Sequence, residues 1–401
     1  MLRNLLFVFF STLILSSCAP MSGGNWQANQ RASSHPSSAG QKGMPAPATA
    51  GEANGSMANT PQNLQVKAKV ALLLPLSGRG QETGEAMMNA SLLAMSDLNA
   101  SDLFELMPKD TNEGAAHVAQ QALQDGAGLI LGPLFSDDTK AVAPFAVQRG
   151  VGIVSFSTDT AAAVGTTFLM GFVPQTQVEQ IIDYAGSRGF KNIALIAPRD
   201  AYGNAVAASF YAQIQRRSLN NAGLVRYDGG QLPDAVQISD LKRLPLQAVL
   251  IAAPGPTAAK ISALLNAQGI PSNLVKRLGT GLWDDPSAQN QPDLQGAWYA
   301  AAPPDLRLKF ERRYREMYGE TPPRLASLAY DATALAVVLS KSNQGYGRNA
   351  LTNPNGFAGV DGIFRFRMDG LADRGLGILE IRNGGAIVIQ NAPSSFAAAK
   401  K

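Results

Sequence analysis

Polar side chains follow several short apolar runs in the sequence, and they are the residues best placed to bind a small molecule. Ser77 comes soon after the run at 70–74, and Ser136 and Asp137 come soon after the run at 129–131. If these runs are parallel strands, their carboxyl ends meet at one edge of a sheet, where ligands usually bind. The candidate cleft residues are Ser77, Thr83, Ser136, Asp137, Ser155, Thr158, Tyr202 and Asp331.

Each of these side chains has a second interpretation. Serine, threonine and aspartate also cap helices and close turns by bonding to the nearby backbone. Asp331, which follows Tyr330, either faces a cleft or is the buried cap of a packed helix. The residue types alone leave both interpretations open.

Catalytic and cofactor motifs offer only weak alternatives. The Gly-rich turn at 78–84 has no Walker lysine and no clear dinucleotide-binding spacing. Asp137 with Asp138, and Asp284 with Asp285, could supply the two carboxylates that a glycosidase needs. The sequence has two histidines and no cluster of residues with metal-ligand spacing. We therefore predict a protein that is not an enzyme and that uses no metal or cofactor.

The elements that would position these residues alternate between strand and helix. Apolar runs at 70–74, 103–107, 129–131 and 152–155 are separated by helical patterns, which predicts a parallel sheet with right-handed crossovers. Pro174 marks a break, and a second series of the same kind follows. The predicted fold class is α/β, with two lobes that are each a parallel sheet flanked by helices.

The order of the elements predicts three crossings between the lobes, near Phe172, Ala302 and Asn355. Runs at 362–367, 376–382 and 386–389, with Asp-Gly and Gly-Gly turns between them, predict antiparallel strands. We expect lobe 1 to comprise 66–172 and about 303–355, lobe 2 to comprise 173–302 and about 356–392, and 393–401 to form a tail.

The first 65 residues have a different character. A basic start at Arg3, an apolar stretch at 5–15 and small residues before Cys18, the single cysteine, resemble a bacterial lipoprotein signal peptide at 1–17. The apolar stretch is shorter than the roughly 18 to 20 residues that a membrane-spanning helix needs. The resemblance implies cleavage before Cys18 and a lipid anchor there, and Ala19 favours the outer membrane. Residues 18–65 have the composition of a disordered linker.

Charge and composition limit the possible partners. The chain has 34 basic and 30 acidic residues, a net charge of +4, and 45% hydrophobic residues. No basic run with interleaved aromatics occurs, so we expect no nucleic-acid partner. The hydrophobic content of a 401-residue chain is enough for a large core and more than one lobe.

From about residue 67 to 389 the chain resembles the type I periplasmic-binding fold of the leucine-, isoleucine- and valine-binding receptors. The matching segments are KVALLLPLSG at 69–78, LILGPLFSDDT at 129–139, VSFST at 154–158, NIALIAPRDAYG at 192–203 and AYDATALA at 329–336. Together with the lipoprotein leader and the linker, the chain most resembles the lipoprotein members that activate penicillin-binding proteins. This resemblance implies a periplasmic partner, a peptidoglycan synthase, whose activity the two-lobed domain stimulates.

The alternative is a receptor for a small, amino-acid-like solute in the cleft between the lobes. In such receptors the ligand carboxylate binds hydroxyls and amides of first-lobe loops, and a second-lobe acid binds the ammonium. Here Asp137 stands where a hydroxyl is usual, Thr83 replaces an aromatic, and the position of the acid falls at about Gly281. A carboxylate at 137 would repel the ligand carboxylate, so these positions count against amino-acid binding.

Overall fold

The computed structural model describes residues 67–102, 104–342 and 344–396. The predicted signal peptide, Cys18 and the linker lie outside the described residues, as do residues 397–401 of the predicted tail. In the part of the chain that the structure describes, no helix is long and apolar enough to cross a membrane.

The first sheet is parallel and has the strand order β2-β1-β3-β4-β5. Its strands are Ala68–Leu74 (β1), Phe104–Asp110 (β2), Leu129–Leu131 (β3), Gly152–Ser155 (β4) and Thr167–Leu169 (β5). The helices between them are Gln81–Asp97 (α1), Ala115–Gln124 (α2) and Ser136–Arg149 (α3). Residues 70–74 of the interior strand β1 are fully buried, because helices cover both faces of the sheet.

The second sheet repeats this arrangement. Its parallel strands are Asn192–Pro198 (β6), Asn220–Tyr227 (β7), Ala248–Ile251 (β8), Lys276–Gly279 (β9) and Trp298–Ala301 (β10). The helices of this part are Pro174–Ser187 (α4), Ala201–Arg216 (α5), Ala235–Asp240 (α6), Gly255–Ala267 (α7) and Pro286–Gln289 (α8). The predicted α/β fold class with two parallel sheets is confirmed.

One close approach recurs in both lobes, where the first helical turn passes over the end of the preceding strand. A Cβ atom on Gly84 would lie 2.0 Å from the carbonyl oxygen of Pro75, and one on Gly203 would lie 2.0 Å from that of Pro198. Only glycine fits at such a distance. The two lobes therefore share the same close packing of helix on strand end in the turn between β1 and α1 and in the turn that leads from β6 to α5.

The chain then returns to the first sheet through Pro304–Tyr318 (α9), Ala326–Lys341 (α10) and Arg348–Leu351 (α11). Helix α10 is buried along most of its length and packs against α1 and β3. Phe310 and Tyr314 of α9 belong to the same hydrophobic core as β1. This run of helices completes one face of the first lobe.

The last segment of the predicted second lobe, from about residue 356 to 392, divides between the two lobes. Phe357–Gly359 (β11), Gly362–Phe366 (β12) and Ala372–Arg374 (β13) form a separate antiparallel sheet. Phe364 and Phe366 lie in the core of the first lobe, and Phe366 packs on Phe168 with ring centroids 5.3 Å apart. This placement differs from the expectation that residues from about 356 onward join lobe 2, because the apolar side chains of β12 are buried on the other core.

The final hairpin does join the second sheet. Gly377–Arg382 (β14) pairs antiparallel with β10, and Gly385–Gln390 (β15) pairs with β14. The complete order of this sheet is β15-β14-β10-β9-β8-β6-β7. The chain therefore passes between the lobes at 170–173, 302–303 and 375–376.

Candidate functional site

The carboxyl ends of β5 and β10 both lie at crossings between the lobes, and we call the space between the strand-end loops of the two sheets the cleft. Strand β5 ends at the first crossing, which leads to α4 of lobe 2, and β10 ends at the second crossing, which leads to α9 of lobe 1. The loops that follow β1 to β4 and β6 to β9 therefore line the two walls, as is usual for open α/β sheets.

Ser77 lies exposed on the first loop of lobe 1. Its backbone carbonyl accepts a hydrogen bond from the side chain of Asn112. The carboxylate of Asp110 in turn accepts bonds from the amides of Leu76 at 2.9 Å and Asn112 at 3.0 Å. These contacts join the loops after β1 and β2 and leave the Ser77 hydroxyl at the surface of the cleft.

Ser136 is the first residue of α3 and does not cap it. The N-cap residue is Phe135, which has no side-chain cap bond. The Ser136 hydroxyl instead donates to Oδ2 of Asp159 at 2.5 Å, and Lys140 Nζ lies 2.7 Å from the same oxygen. The ion pair with Lys140 and the Ser136 hydrogen bond lower the pKa of Asp159 to about 2. Ser136 thus lies at a strand-end loop of lobe 1, as the sequence predicts. The Ser136 hydroxyl, however, already has a protein partner in Asp159.

Ser155 is fully buried and does not line the cleft. Its hydroxyl is 2.8 Å from Thr139 Oγ1, donates to the carbonyl of Pro133 at 3.1 Å, and accepts from the amide of Ser157 at 3.1 Å. The structure therefore matches the second interpretation of this serine, in which it closes a turn and ties β4 to α3.

Two carboxylates occupy the amino end of α3. Asp137 is exposed toward solvent, and Asp138 is half-buried beside it. Burial, and then the charge of Asp137, raise the pKa of Asp138. The guanidinium of Arg79 lies 5.0 Å from the ring centre of Phe135 and partly balances these charges. Helix amino ends attract anions, and at α3 the carboxylates of Asp137 and Asp138 already provide this negative charge.

Thr83 and Thr158 take different positions on the first wall. Thr83 lies in the first turn of α1 and lines a surface cavity of about 460 Å³ together with Gly78, Gly80, Gln81, Glu82 and Glu85. Thr158 is exposed on the loop after β4. Both side chains are available to a ligand or partner, and the cavity beside Thr83 is acidic.

Tyr202 belongs to the opposite wall. Its hydroxyl lies 2.7 Å from Thr280 Oγ1, and burial raises the pKa of Tyr202 above its ordinary value. Next to it, the Gly281 amide donates to Gln177 Oε1 at 2.7 Å. Sequence reasoning missed both Thr280 and Gln177. Thr280 follows β9 directly, which was the available signal, whereas Gln177 lies inside α4 and has no such signal.

The two walls make no polar contact across the cleft. Within residues 67–102, 104–342 and 344–396, no hydrogen bond or ion pair joins the loops after β1 to β4 to the loops after β6 to β9. The candidate residues Ser77, Asp137 and Thr158 thus stay exposed on one wall, while Tyr202 is bonded within the other.

Asp331 lies away from the cleft. It is 1% exposed within α10, and its carboxylate accepts hydrogen bonds from the amides of Val360 at 2.7 Å and Asp361 at 3.4 Å. Burial, and then the charge of Asp361, raise the pKa of Asp331 to about 7. Of its two interpretations, the buried one fits, and Asp331 anchors the turn between β11 and β12.

Each residue of the second acidic pair has a partner within the protein. Asp284 is 3% exposed and forms an ion pair with Arg307 Nη2 at 3.0 Å. Asp285 accepts a bond from the amide of Ser287 and caps α8. Within the described residues, no group of His, Cys, Asp and Glu side chains has the arrangement of a metal site.

The fold and the strand-end cleft define a binding protein of the periplasmic type. The sequence profile described as Periplasmic binding protein matches residues 67–386, and the chain belongs to this family. Its family and its relatives point to the periplasm or cell envelope.

Among curated relatives, the chain is similar to penicillin-binding protein activators named LpoA. The protein of Haemophilus ducreyi is 27% identical over 161 residues, which cover 39% of this chain and 27% of that protein. The protein of Mannheimia succiniciproducens is 28% identical over 165 residues, which cover 40% of this chain and 28% of that protein. The chain thus matches little more than a quarter of the length of these relatives.

Solved structures with the same fold are solute-binding proteins. A branched-chain amino acid ABC transporter protein from Rhodospirillum rubrum has a TM-score of 0.73 and 21% identity, covering 81% of this chain and 100% of that one. The substrate-binding protein LivJ from Streptococcus pneumoniae, in complex with isoleucine, has a TM-score of 0.60 and 21% identity, covering 82% and 100%. At this identity the likeness concerns the fold.

Proposed function

We propose that this chain is a non-catalytic periplasmic lipoprotein, anchored at Cys18 to the outer membrane, that binds and activates a peptidoglycan synthase. The observation that carries the proposal is the similarity to LpoA activators from two bacteria. The signal-peptide pattern and the long polar linker support it, because a regulator tethered to one membrane must reach a partner across the periplasm.

The amino end of α3 supports this function over amino-acid binding. In the receptor interpretation this end would attract a ligand carboxylate, yet Asp137 and Asp138 already place negative charge there. The nearby Ser136 hydroxyl donates to Asp159. A ligand carboxylate would meet repulsion and lose a hydroxyl partner.

The second candidate function is a receptor for another small solute. It is favoured by the family match and by the absence of polar contacts between the two cleft walls in the described residues. The exposed acids Asp137, Glu82 and Glu85 give this cleft an acidic first wall. A solute bound there would have to be neutral or cationic.

A paired assay separates the two functions. The full chain with Cys18→Ser, which remains free of lipid, is added to a bifunctional penicillin-binding protein of the same organism, and glycan polymerisation is followed. We expect a severalfold rise in polymerisation rate, and no saturable heat when leucine, isoleucine, valine or a polyamine is titrated into the chain. No stimulation and no synthase recovered by pull-down, together with tight solute binding, would overturn the proposal.

A further inference from the structure

A cluster of buried and half-buried charged side chains lies near the three crossings between the lobes. Its members are Asp284, Arg307, Arg324, Asp331, Asp361 and Arg374, which we call the hinge cluster. Asp361 is fully buried, and Asp284 and Asp331 are 3% and 1% exposed. Aspartates are rarely buried to this degree unless they are paired.

Arg324 connects the two lobes within this cluster. Its Nε lies 3.5 Å from Asp284, which follows β9 of lobe 2, and its Nη2 lies 2.8 Å from Asp361, in the turn between β11 and β12. Arg307, in the first turn of α9, holds the other oxygen of Asp284 at 3.0 Å. One lobe 2 carboxylate is therefore held by two arginines of lobe 1.

The first crossing passes through the same cluster. The guanidinium groups of Arg324 and Arg374 lie 4.3 and 4.8 Å from the ring centre of Phe172, so both arginines contact this ring. Arg374 also donates to the carbonyl of Met170 at 2.5 Å. The backbone of the crossing is thus held by Arg374, and its aromatic ring also contacts Arg324, which is paired with Asp361.

Charge balance explains why these groups are found together. The three arginines face the carboxyl groups of Asp284, Asp361 and Asp331, and Glu311, 2.7 Å from Arg307, adds a fourth acid. The cluster is neutral when one of the four carboxyl groups holds a proton. Burial raises the pKa of Asp331, which favours its protonated form. Separating Asp284 from its arginines would leave uncompensated charges in a buried site, which is strongly unfavourable.

We infer that the hinge cluster is an interlobe lock that holds the two lobes at one angle. A receptor of this fold closes its lobes around a solute by a hinge motion, and any such motion that separates Asp284 from Arg307 and Arg324 would break both ion pairs. The domain then presents one fixed two-lobed surface to a partner. This inference does not depend on the identity of the partner.

The lock can be tested by measuring the distance between the lobes in the full chain. Cys18 is the only cysteine, so Cys18→Ser with Ala161→Cys and Gln231→Cys allows two spin labels, one on each cleft wall. Both label positions are exposed, on the loops after β4 and β7. Pulsed electron paramagnetic resonance then compares this parent with the same chain carrying Asp284→Asn.

The matched control is Asp285→Asn, an identical change at the adjacent, exposed residue, where asparagine still caps α8. We expect a single narrow distance distribution for the parent and the control, and a distribution at least twice as wide for Asp284→Asn. Arg307→Gln, which removes the partner instead, should widen it as well and replaces Asp284→Asn if that variant fails to fold. A parent distribution that is already broad, or an unchanged width in the lock variants, would overturn the inference.

Discussion

Arg307 Nη2 donates to Asp284 Oδ1 at 3.0 Å, and this bond joins the first turn of α9 in lobe 1 to the loop after β9 in lobe 2. The two side chains are 13% and 2% exposed. An ion pair so buried is only weakly screened by salt. It is the shortest polar link between the lobes within the hinge cluster, and its removal has consequences that can be measured.

Asp284→Asn should lower the free energy of unfolding by about 1 to 3 kcal/mol, because it removes the charge that Arg307 and Arg324 share and leaves each of them with one acidic partner. Urea unfolding followed by circular dichroism measures the change. Asp285→Asn should stay within about 0.5 kcal/mol of the parent, as is usual for exposed positions. Equal stability of the two variants would show that the pair contributes no more than a surface ion pair.

Asp331 should make stability depend on pH between about 4 and 7. Its pKa is raised from 3.8 to about 7 by burial and then by Asp361, with Arg374 acting in the opposite direction. The folded chain therefore keeps a proton that the unfolded chain has lost, and the contribution of Asp331 to the free energy of unfolding falls as pH rises through this window. Above about pH 7 the contribution is constant.

Comparison of the parent with Asp331→Asn isolates this effect, because asparagine does not titrate. The parent's free energy of unfolding minus that of the variant should decrease from pH 4.5 to pH 7.5. Arg324 and Arg374 stay charged throughout, and Asp361, whose pKa is lowered despite its burial by the charge of Arg324, stays ionised. A difference that is flat or rises with pH would contradict a protonated Asp331.

Ser155→Ala should destabilise the protein by about 1 to 3 kcal/mol, since it leaves buried partners of the hydroxyl unsatisfied. The Ser157 amide would lose its acceptor and the Thr139 hydroxyl one partner, whereas the Pro133 carbonyl would keep its bond from the Phe156 amide. Ser77→Ala, at an exposed hydroxyl on the same edge of the sheet, should change stability by less than about 0.5 kcal/mol. Thermal unfolding of the two variants side by side distinguishes a structural serine from a surface one.

Gly84→Ala should cost about 3 kcal/mol or more, because its Cβ atom would lie 2.0 Å from the Pro75 carbonyl oxygen and the loop would have to move. Gly229→Ala is the matched control, since a Cβ atom there meets nothing within 4 Å. If Gly84→Ala folds with parental stability in a urea titration, the close approach of α1 to the end of β1 is not a constraint.

Much of the fold was predictable, because buried parallel strands are uninterrupted apolar runs that sequence shows directly. The runs at 70–74, 129–131 and 248–251 all lie in strands and are fully buried. The short strands β11 and β13 were missed, since neither contains an apolar run like that of β3 and three residues carry too little periodicity to replace it. The last crossing was placed near Asn355, because nothing in the order of elements shows that Phe364 and Phe366 are buried against lobe 1.

The sequence predicts which loops carry the candidate site residues, but it does not predict which of their side chains are exposed there. Ser77, Thr83, Asp137 and Thr158 lie on the first wall, and Tyr202 lies on the second. Ser155 and Asp331 are buried elsewhere, because a residue at a strand end or within a helix can point either way. The lipid anchor at Cys18 and the synthase partner stay predictions.

The sequence by itself determined the two strand-helix series, the family, and the acidic residues at the start of α3, since each is a local property of a short segment. Only the tertiary structure decided which polar groups meet. Arg324 is 37 residues from Asp361 in the chain, and Arg307 is 23 from Asp284. Such pairs arise from the packing of distant segments at the crossings, and no local pattern of charge or hydrophobicity specifies them.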